Sequence, residues 1–182
     1  MMKIRIKQQP ISFGSQYKIF VNKKEEYYAE TDAFSRLIIN VYKPNHLKPY
    51  FRTFKSIYIN YPKYKIELPD GERYQFLTYN IWQTKFQLKK GDDIYDLYYH
   101  KERKVSVFKN NMQIAYWEKE AINYLVADCY EIKANKNVEK ELLIAFCLIL
   151  DNLKSKGGLI FNVDLGFILG EKRKFDKTWK PI

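Results

Sequence analysis

Apolar and polar side chains alternate one by one through most of the first 133 residues. The alternation is clearest over residues 3–7, 56–60 and 104–109, where isoleucine or valine recurs at every second position. Successive side chains of a strand point to opposite faces, so this pattern predicts β-strands with one buried face. Turn-forming sequences separate the alternating segments, and Asp70-Gly71 is the sharpest of them because glycine adopts positive φ at low cost.

A hairpin of one design recurs along the chain. Residues 17–27 and 64–74 each begin and end on a tyrosine, with the same spacing and a polar turn between the two arms. Residues 105–116 form a looser third copy. A single hairpin cannot bury its apolar face alone. The repetition therefore predicts many antiparallel strands that close into a barrel or pack as a sandwich.

The pattern changes after residue 134. Asn135 or Asn137 can cap a helix whose first turn contains Glu139 and Glu141, and residues 142–150 are all apolar. We predict a helix over residues 139–153 that is apolar on every side, as expected of a helix surrounded by protein or lipid. Its apolar run extends roughly 13 Å, too short for a membrane span of about 20 residues. The expected place for this helix is the inside of the barrel.

Repeated hairpins followed by one short apolar helix resemble the tubby-like C-terminal fold, whose relatives include the LURP-one-related proteins and the phospholipid scramblases. The hairpin at 64–74, with its Asp70-Gly71 turn, and the segment 141–151 carry the resemblance, which covers about residues 3–155. It implies a mainly β domain in which an antiparallel barrel of about twelve strands encloses one C-terminal helix. It also implies a phospholipid or phosphoinositide partner, and it does not imply catalysis. No acidic calcium-binding motif of the scramblase kind accompanies the helix, so calcium-driven scrambling is not expected.

Positive charge is concentrated in the first half of the chain. Residues 1–91 carry 17 basic and 7 acidic side chains, and no acid lies between Asp32 and Glu67. The candidate anion-binding residues of this stretch are interleaved with tyrosine and phenylalanine: Arg36, Lys43, Lys48, Arg52, Lys55, Lys63 and Lys65. Such a pattern suits an anionic lipid surface or single-stranded nucleic acid. Solvated strand faces over core aromatics are a third interpretation.

The C-terminal segment repeats the combination of apolar and basic residues. We divide the chain into a barrel domain, residues 1–158, and a C-terminal strap, residues 159–182. The apolar residues 159–169 are expected to pack on the barrel, because an exposed apolar surface of that size favours aggregation. The basic and aromatic end is expected to be free for a partner, and its candidate anion-binding residues are Lys172, Arg173, Lys174 and Lys177.

Few residues suggest chemistry. The sequence lacks a glycine-rich phosphate loop and zinc-ligand spacing. Cys129 and Cys147 are expected to be buried, unpaired small residues. Cys129 and His100 could form a nucleophile–base pair, but a surface position explains His100 more simply. Asp92, Asp93 and Asp96 could hold a cation, but a solvated hairpin explains these residues more simply.

The expected function is therefore a non-enzymatic binding module for anionic phospholipid headgroups or a membrane surface, without cofactor or metal. The alternatives are a nucleic-acid-binding protein and a structural or interaction domain whose charge serves solubility. The first residues alternate charge with isoleucine and contain no apolar signal region. We accordingly expect a cytoplasmic protein, with peripheral attachment to a membrane as an option, and the oligomeric state stays open.

Overall fold

Twelve antiparallel strands close into a barrel in the computed structural model, which describes residues 1–10, 14–32, 37–56, 63–79, 85–100, 104–120, 128–154 and 173–182. Each strand pairs with its neighbours in chain order, and the last strand pairs with the first. This confirms the predicted barrel and excludes the sandwich. The strands are β1 (Met2–Pro10), β2 (Ser15–Val21), β3 (Lys24–Thr31), β4 (Ile38–Tyr42), β5 (Phe51–Ser56), β6 (Lys63–Glu67), β7 (Arg73–Thr78), β8 (Lys85–Lys90), β9 (Asp93–Tyr99), β10 (Lys104–Lys109), β11 (Met112–Glu120) and β12 (Cys129–Ala134).

One helix, α1 (Lys140–Lys154), fills the barrel. Its residues 142–150 are all buried in one core with the inward side chains of the strands. Phe146 stacks on Phe76 of β7 with ring centroids 5.0 Å apart, while at the other side of the barrel Asp151 accepts a hydrogen bond from Tyr17 of β2. The predicted helix inside the barrel is thus confirmed. Among the described residues, no helix combines the length and the apolar character that crossing a membrane requires.

The helix starts at the end of the barrel where β1 begins and β12 ends, which we call the proximal end. Tight turns join the strands here. Asn22 and Lys23, between β2 and β3, both have positive φ, as do Asn110 and Asn111, between β10 and β11. A turn of this kind matches the twist of the flanking strands, and asparagine tolerates it well. At the opposite, distal end, most of the residues that link consecutive strands lie outside the described part of the chain.

Polar contacts fasten the start of α1 to the proximal end. Glu139 lies 2.8 Å from the Lys90 ammonium of β8, and Lys140 pairs with Glu26 of β3. The hydroxyl of Tyr27 donates a 2.8 Å hydrogen bond to Glu141. These contacts set the depth of the helix in the barrel, because they hold its first turn to strands on different sides.

Candidate anion-binding surface

The outer surface of β5–β8 carries a concentration of positive charge. In the described residues of these four strands, the outward positions hold six cations and a single carboxylate, Glu67. We call this surface the basic face. Its cations are Arg52, Lys63, Lys65, Arg73, Lys85 and Lys89.

The carboxylate of the basic face lies between two arginines. Antiparallel pairing sets Glu67 of β6 beside Arg52 of β5 and Arg73 of β7. The two guanidinium groups approach its oxygens at 2.9 and 2.7 Å. Partial burial acts to raise the pKa of Glu67, but the hydrogen bonds from both arginines hold it below its usual value. Glu67 therefore stays ionised and orients the two arginines.

Apolar side chains lie among these cations. Phe54 is opposite Lys65 in the β5–β6 pair, and Leu77 is opposite Lys63 in the β6–β7 pair. Tyr79, just after β7, is 60 % exposed. The basic face thus combines positive charge with apolar and aromatic surface.

The structure brings three of the candidate residues from the acid-free stretch, Arg52, Lys63 and Lys65, onto the basic face. It does not place Lys55 there. Lys55 follows the inward Thr53 by two positions and is paired with the buried Tyr64, so it belongs to the inward register at the distal end of β5.

The other candidates of that stretch lie elsewhere. Lys43 and Lys48 are in the β4–β5 loop at the proximal end, where the Lys43 ammonium lies 3.7 Å from the centroid of the Tyr50 ring. Arg36 lies outside the described residues, and so does Lys172 of the C-terminal strap.

Three cations of the basic face were missed in the sequence. Arg73, Lys85 and Lys89 lie beyond the acid-free stretch, where carboxylates are again present in the sequence. The alternation of residues 85–89 carried a usable signal, because it places both lysines on the face opposite Phe86 and Leu88. One of the neighbouring carboxylates, Asp96 of β9, forms an ion pair with Lys85 at 3.2 Å.

The end of the C-terminal strap lies on another part of the outer surface. Residues 173–182 run across β9–β11, and the Ile182 amide donates to Asn135 at the proximal end. The Arg173 guanidinium lies 3.6 Å from the centroid of the Phe108 ring and donates to Asn111. The expectation of a free basic end is therefore wrong for Arg173.

Aromatic packing explains why this end adheres to the barrel. Phe175 contacts His100 and Tyr116 edge to face, and Trp179 contacts Tyr116 in the same way. Burying rings of this size removes a large apolar area from water. Lys174 and Lys177 remain exposed on the outside of the segment. The apolar half of the strap, residues 159–169, lies outside the described residues.

The conceivable pair of Cys129 and His100 is not formed. β10 and β11 separate the two residues around the barrel, and neighbouring strands are about 4.8 Å apart. His100 is buried, so the expectation of a surface histidine is wrong, and its Nε2 atom lies 3.0 Å from the Ser106 hydroxyl. Cys129 accepts a hydrogen bond from Arg5, and both cysteines are buried with no disulfide between them, as predicted.

The acidic residues that follow the β8–β9 turn do not form one cluster, because Asp93 and Asp96 lie on opposite faces of β9. Asp93 faces the inward side and pairs with Lys109 at 2.7 Å, whereas Asp96 faces outward and pairs with Lys85. Across the described residues, no three histidine, cysteine or acidic side chains lie close enough together to hold a metal ion.

A buried carboxylate lies inside the barrel, near the end of α1. Asp151 is 4 % exposed and accepts hydrogen bonds from the hydroxyls of Tyr17 and Tyr130. Burial raises the pKa of Asp151, and the two hydrogen bonds only partly oppose that effect. The network satisfies a polar group that would otherwise destabilise the core.

The raised pKa of Asp151 predicts a specific pH dependence of stability. A carboxyl whose pKa is higher in the folded state stabilises the fold below its unfolded pKa, and this contribution is lost as the pH rises through the folded pKa. We expect the free energy of unfolding of the wild type, relative to Asp151→Asn, to fall as the pH rises from 3.8. Urea melts of both proteins between acidic and neutral pH measure the difference. Parallel pH profiles would contradict the assignment.

Comparison of the chain with protein-family models, with curated proteins and with solved structures found no match.

Proposed function

We propose that this protein is a non-enzymatic binding module for anionic phospholipid headgroups at a membrane surface. The observation that carries the proposal is the basic face, with six outward cations and one carboxylate on four adjacent strands. A lysine or arginine near an anionic membrane contributes about 1 kcal/mol. Several such residues on one surface therefore give appreciable affinity without a deep pocket.

The shape and the apolar content of the basic face favour a membrane over nucleic acid. The outside of a closed barrel is convex, whereas binding of single-stranded nucleic acid generally uses a groove that follows the backbone. Aromatic and aliphatic side chains such as Tyr79 and Leu77 suit the headgroup level of a bilayer. The resemblance to the tubby-like, LURP-one-related and scramblase group implies the same class of partner. Peripheral attachment from the cytoplasm follows as part of the proposal.

The test is charge reversal on β6. Lys63→Glu together with Lys65→Glu changes two exposed outward residues and leaves the core unchanged. Binding to vesicles of phosphatidylcholine with phosphatidylserine should weaken by at least about 2 kcal/mol, or roughly 30-fold. Co-sedimentation at low salt measures the affinity, and pure phosphatidylcholine vesicles supply the uncharged reference.

The matched control reverses the same amount of charge elsewhere. Lys3 on β1 and Lys18 on β2 are also exposed and outward, and they lie five and four strands from β6 around the barrel. Lys3→Glu with Lys18→Glu should weaken vesicle binding far less. Equal weakening by both pairs would show that only net charge matters and would refute a localised site. Binding of wild-type protein to single-stranded oligonucleotides but not to anionic vesicles would favour the nucleic-acid alternative.

A further inference from the structure

A cavity of about 410 Å³ opens at the proximal end of the barrel, and none of its lining residues belongs to the basic face. Its walls come from the β8–β9 hairpin, from β10 and β11, and from the segment that leads into α1. This volume lies within the usual range for small-molecule sites, roughly 300–1,000 Å³. The cavity is therefore large enough for a small ligand.

The charged groups of the cavity form two complete ion pairs. The Lys90 ammonium lies 2.8 Å from both oxygens of Glu139, and Lys109 lies 2.7 Å from Asp93. Asp93 also accepts a hydrogen bond from Asn110. The charges of the lining therefore cancel, and each one has a partner of opposite sign.

The hydroxyl of Tyr95 lies among these charges. The side chain is almost fully buried, and its ring packs at a tilt against Phe146 of the helix, with centroids 6.3 Å apart. Burial raises the pKa of Tyr95, and both ion pairs of the cavity act on the same hydroxyl. The phenol is therefore neutral at physiological pH and can both donate and accept a hydrogen bond.

This lining selects against charged ligands. An anion would gain attraction from the lysines and suffer equal repulsion from the carboxylates, and a zwitterion would have to break both ion pairs to form its own. Each carboxylate oxygen has two lone pairs and each ammonium has three protons, so donors and acceptors are left over after pairing. A neutral ligand with several hydroxyl groups can use both the remaining donors and the remaining acceptors without separating the ion pairs.

We infer that the proximal cavity is a binding site for a small neutral polyhydroxylated compound of the sugar class, with hydroxyls hydrogen-bonded to Lys90, Asp93, Lys109 and Glu139. Asn137, at the exposed rim, adds an amide that can donate and accept. Ile114 and Val138 supply apolar contact for the carbon ring. The site is separate from the basic face, and its occupation does not depend on the proposed lipid binding.

The test uses the full chain and a panel of neutral sugars: glucose, galactose, maltose and lactose. Saturation-transfer difference NMR at millimolar sugar should show saturable binding of at least one of them. Inorganic phosphate and glycine serve as the anionic and zwitterionic probes and should not compete with the bound sugar. The absence of a saturable signal for all four sugars would overturn the inference, as would displacement of a bound sugar by phosphate or glycine at equal concentration.

Substitution at the rim locates the site. Asn137→Trp should fill the cavity and weaken sugar binding at least tenfold. Lys136→Trp is the control: it places the same indole on the neighbouring exposed residue, which does not line the cavity, and it should leave sugar binding unchanged. Asn137→Leu, of similar size to asparagine, tests the amide without filling the space and should also weaken binding. Sugar binding that survives both changes at Asn137 would place the ligand elsewhere and overturn the inference. Vesicle binding by Asn137→Trp should equal that of the wild type.

Discussion

Ala145→Asp should yield an unfolded or insoluble protein. Ala145 lies in the middle of α1, is completely buried, and is surrounded by apolar side chains of the barrel. A carboxylate there would lack a cationic partner, and an uncompensated buried charge costs several kcal/mol. Total stabilities are only about 5–15 kcal/mol. The charge is therefore expected to remove most or all of the stability of the fold.

Circular dichroism, solubility and thermal melting measure this effect. Gln16→Asp introduces the same side chain at an exposed outward position of β2 and should fold like the wild type. A soluble Ala145→Asp protein with the spectrum and melting temperature of the wild type would contradict the position of the helix inside the barrel.

Phe146→Ala should destabilise the protein by about 3–5 kcal/mol, the usual range for truncating a buried phenylalanine. The ring is fully buried, stacks on Phe76 at 5.0 Å and contacts Tyr95 at 6.3 Å between centroids. Its removal leaves a cavity between the helix and two strands. The strands of a closed barrel are held by their neighbours on both sides, so they cannot easily move inward to fill it. Urea unfolding at constant pH gives the free energy.

Two further variants separate the cavity effect from a general loss of aromatic area. Phe146→Leu keeps most of the volume and should cost less than Phe146→Ala. Phe54→Ala removes the same ring from the partly exposed outer surface of β5 and should also cost less. If Phe146→Ala were no more destabilising than Phe54→Ala, the packing of Phe146 between helix and barrel would not contribute to stability as the structure indicates.

Local patterns predicted most elements of this fold, while residues 57–60, which alternation also predicts to be a strand, lie outside the described residues. Alternation identifies strands such as β10 because the side-chain period of a strand is a property of consecutive residues. The same holds for the nine apolar residues of α1, which favour a buried helix, and for the Asp70-Gly71 turn, where Gly71 has a φ of 84°. In each case the information lies within a few positions of the chain.

Pairing and register decided what local patterns left open. Lys55 is near the end of its strand, where alternation alone fits either face, and its pairing with the buried Tyr64 assigns it to the inward register. Arg73, Lys85 and Lys89 join Arg52 only because β7 and β8 follow β6 in the barrel.

Contacts between distant segments likewise required the tertiary structure. The aromatic residues of 173–182 find their partners on β9–β11, and the proximal cavity combines side chains from hairpins and the helix start that lie far apart in sequence. The sequence by itself determined which segments become strands and helix, because those preferences are local. Closure of the barrel determined which side chains meet, because that depends on the neighbours and the register of every strand.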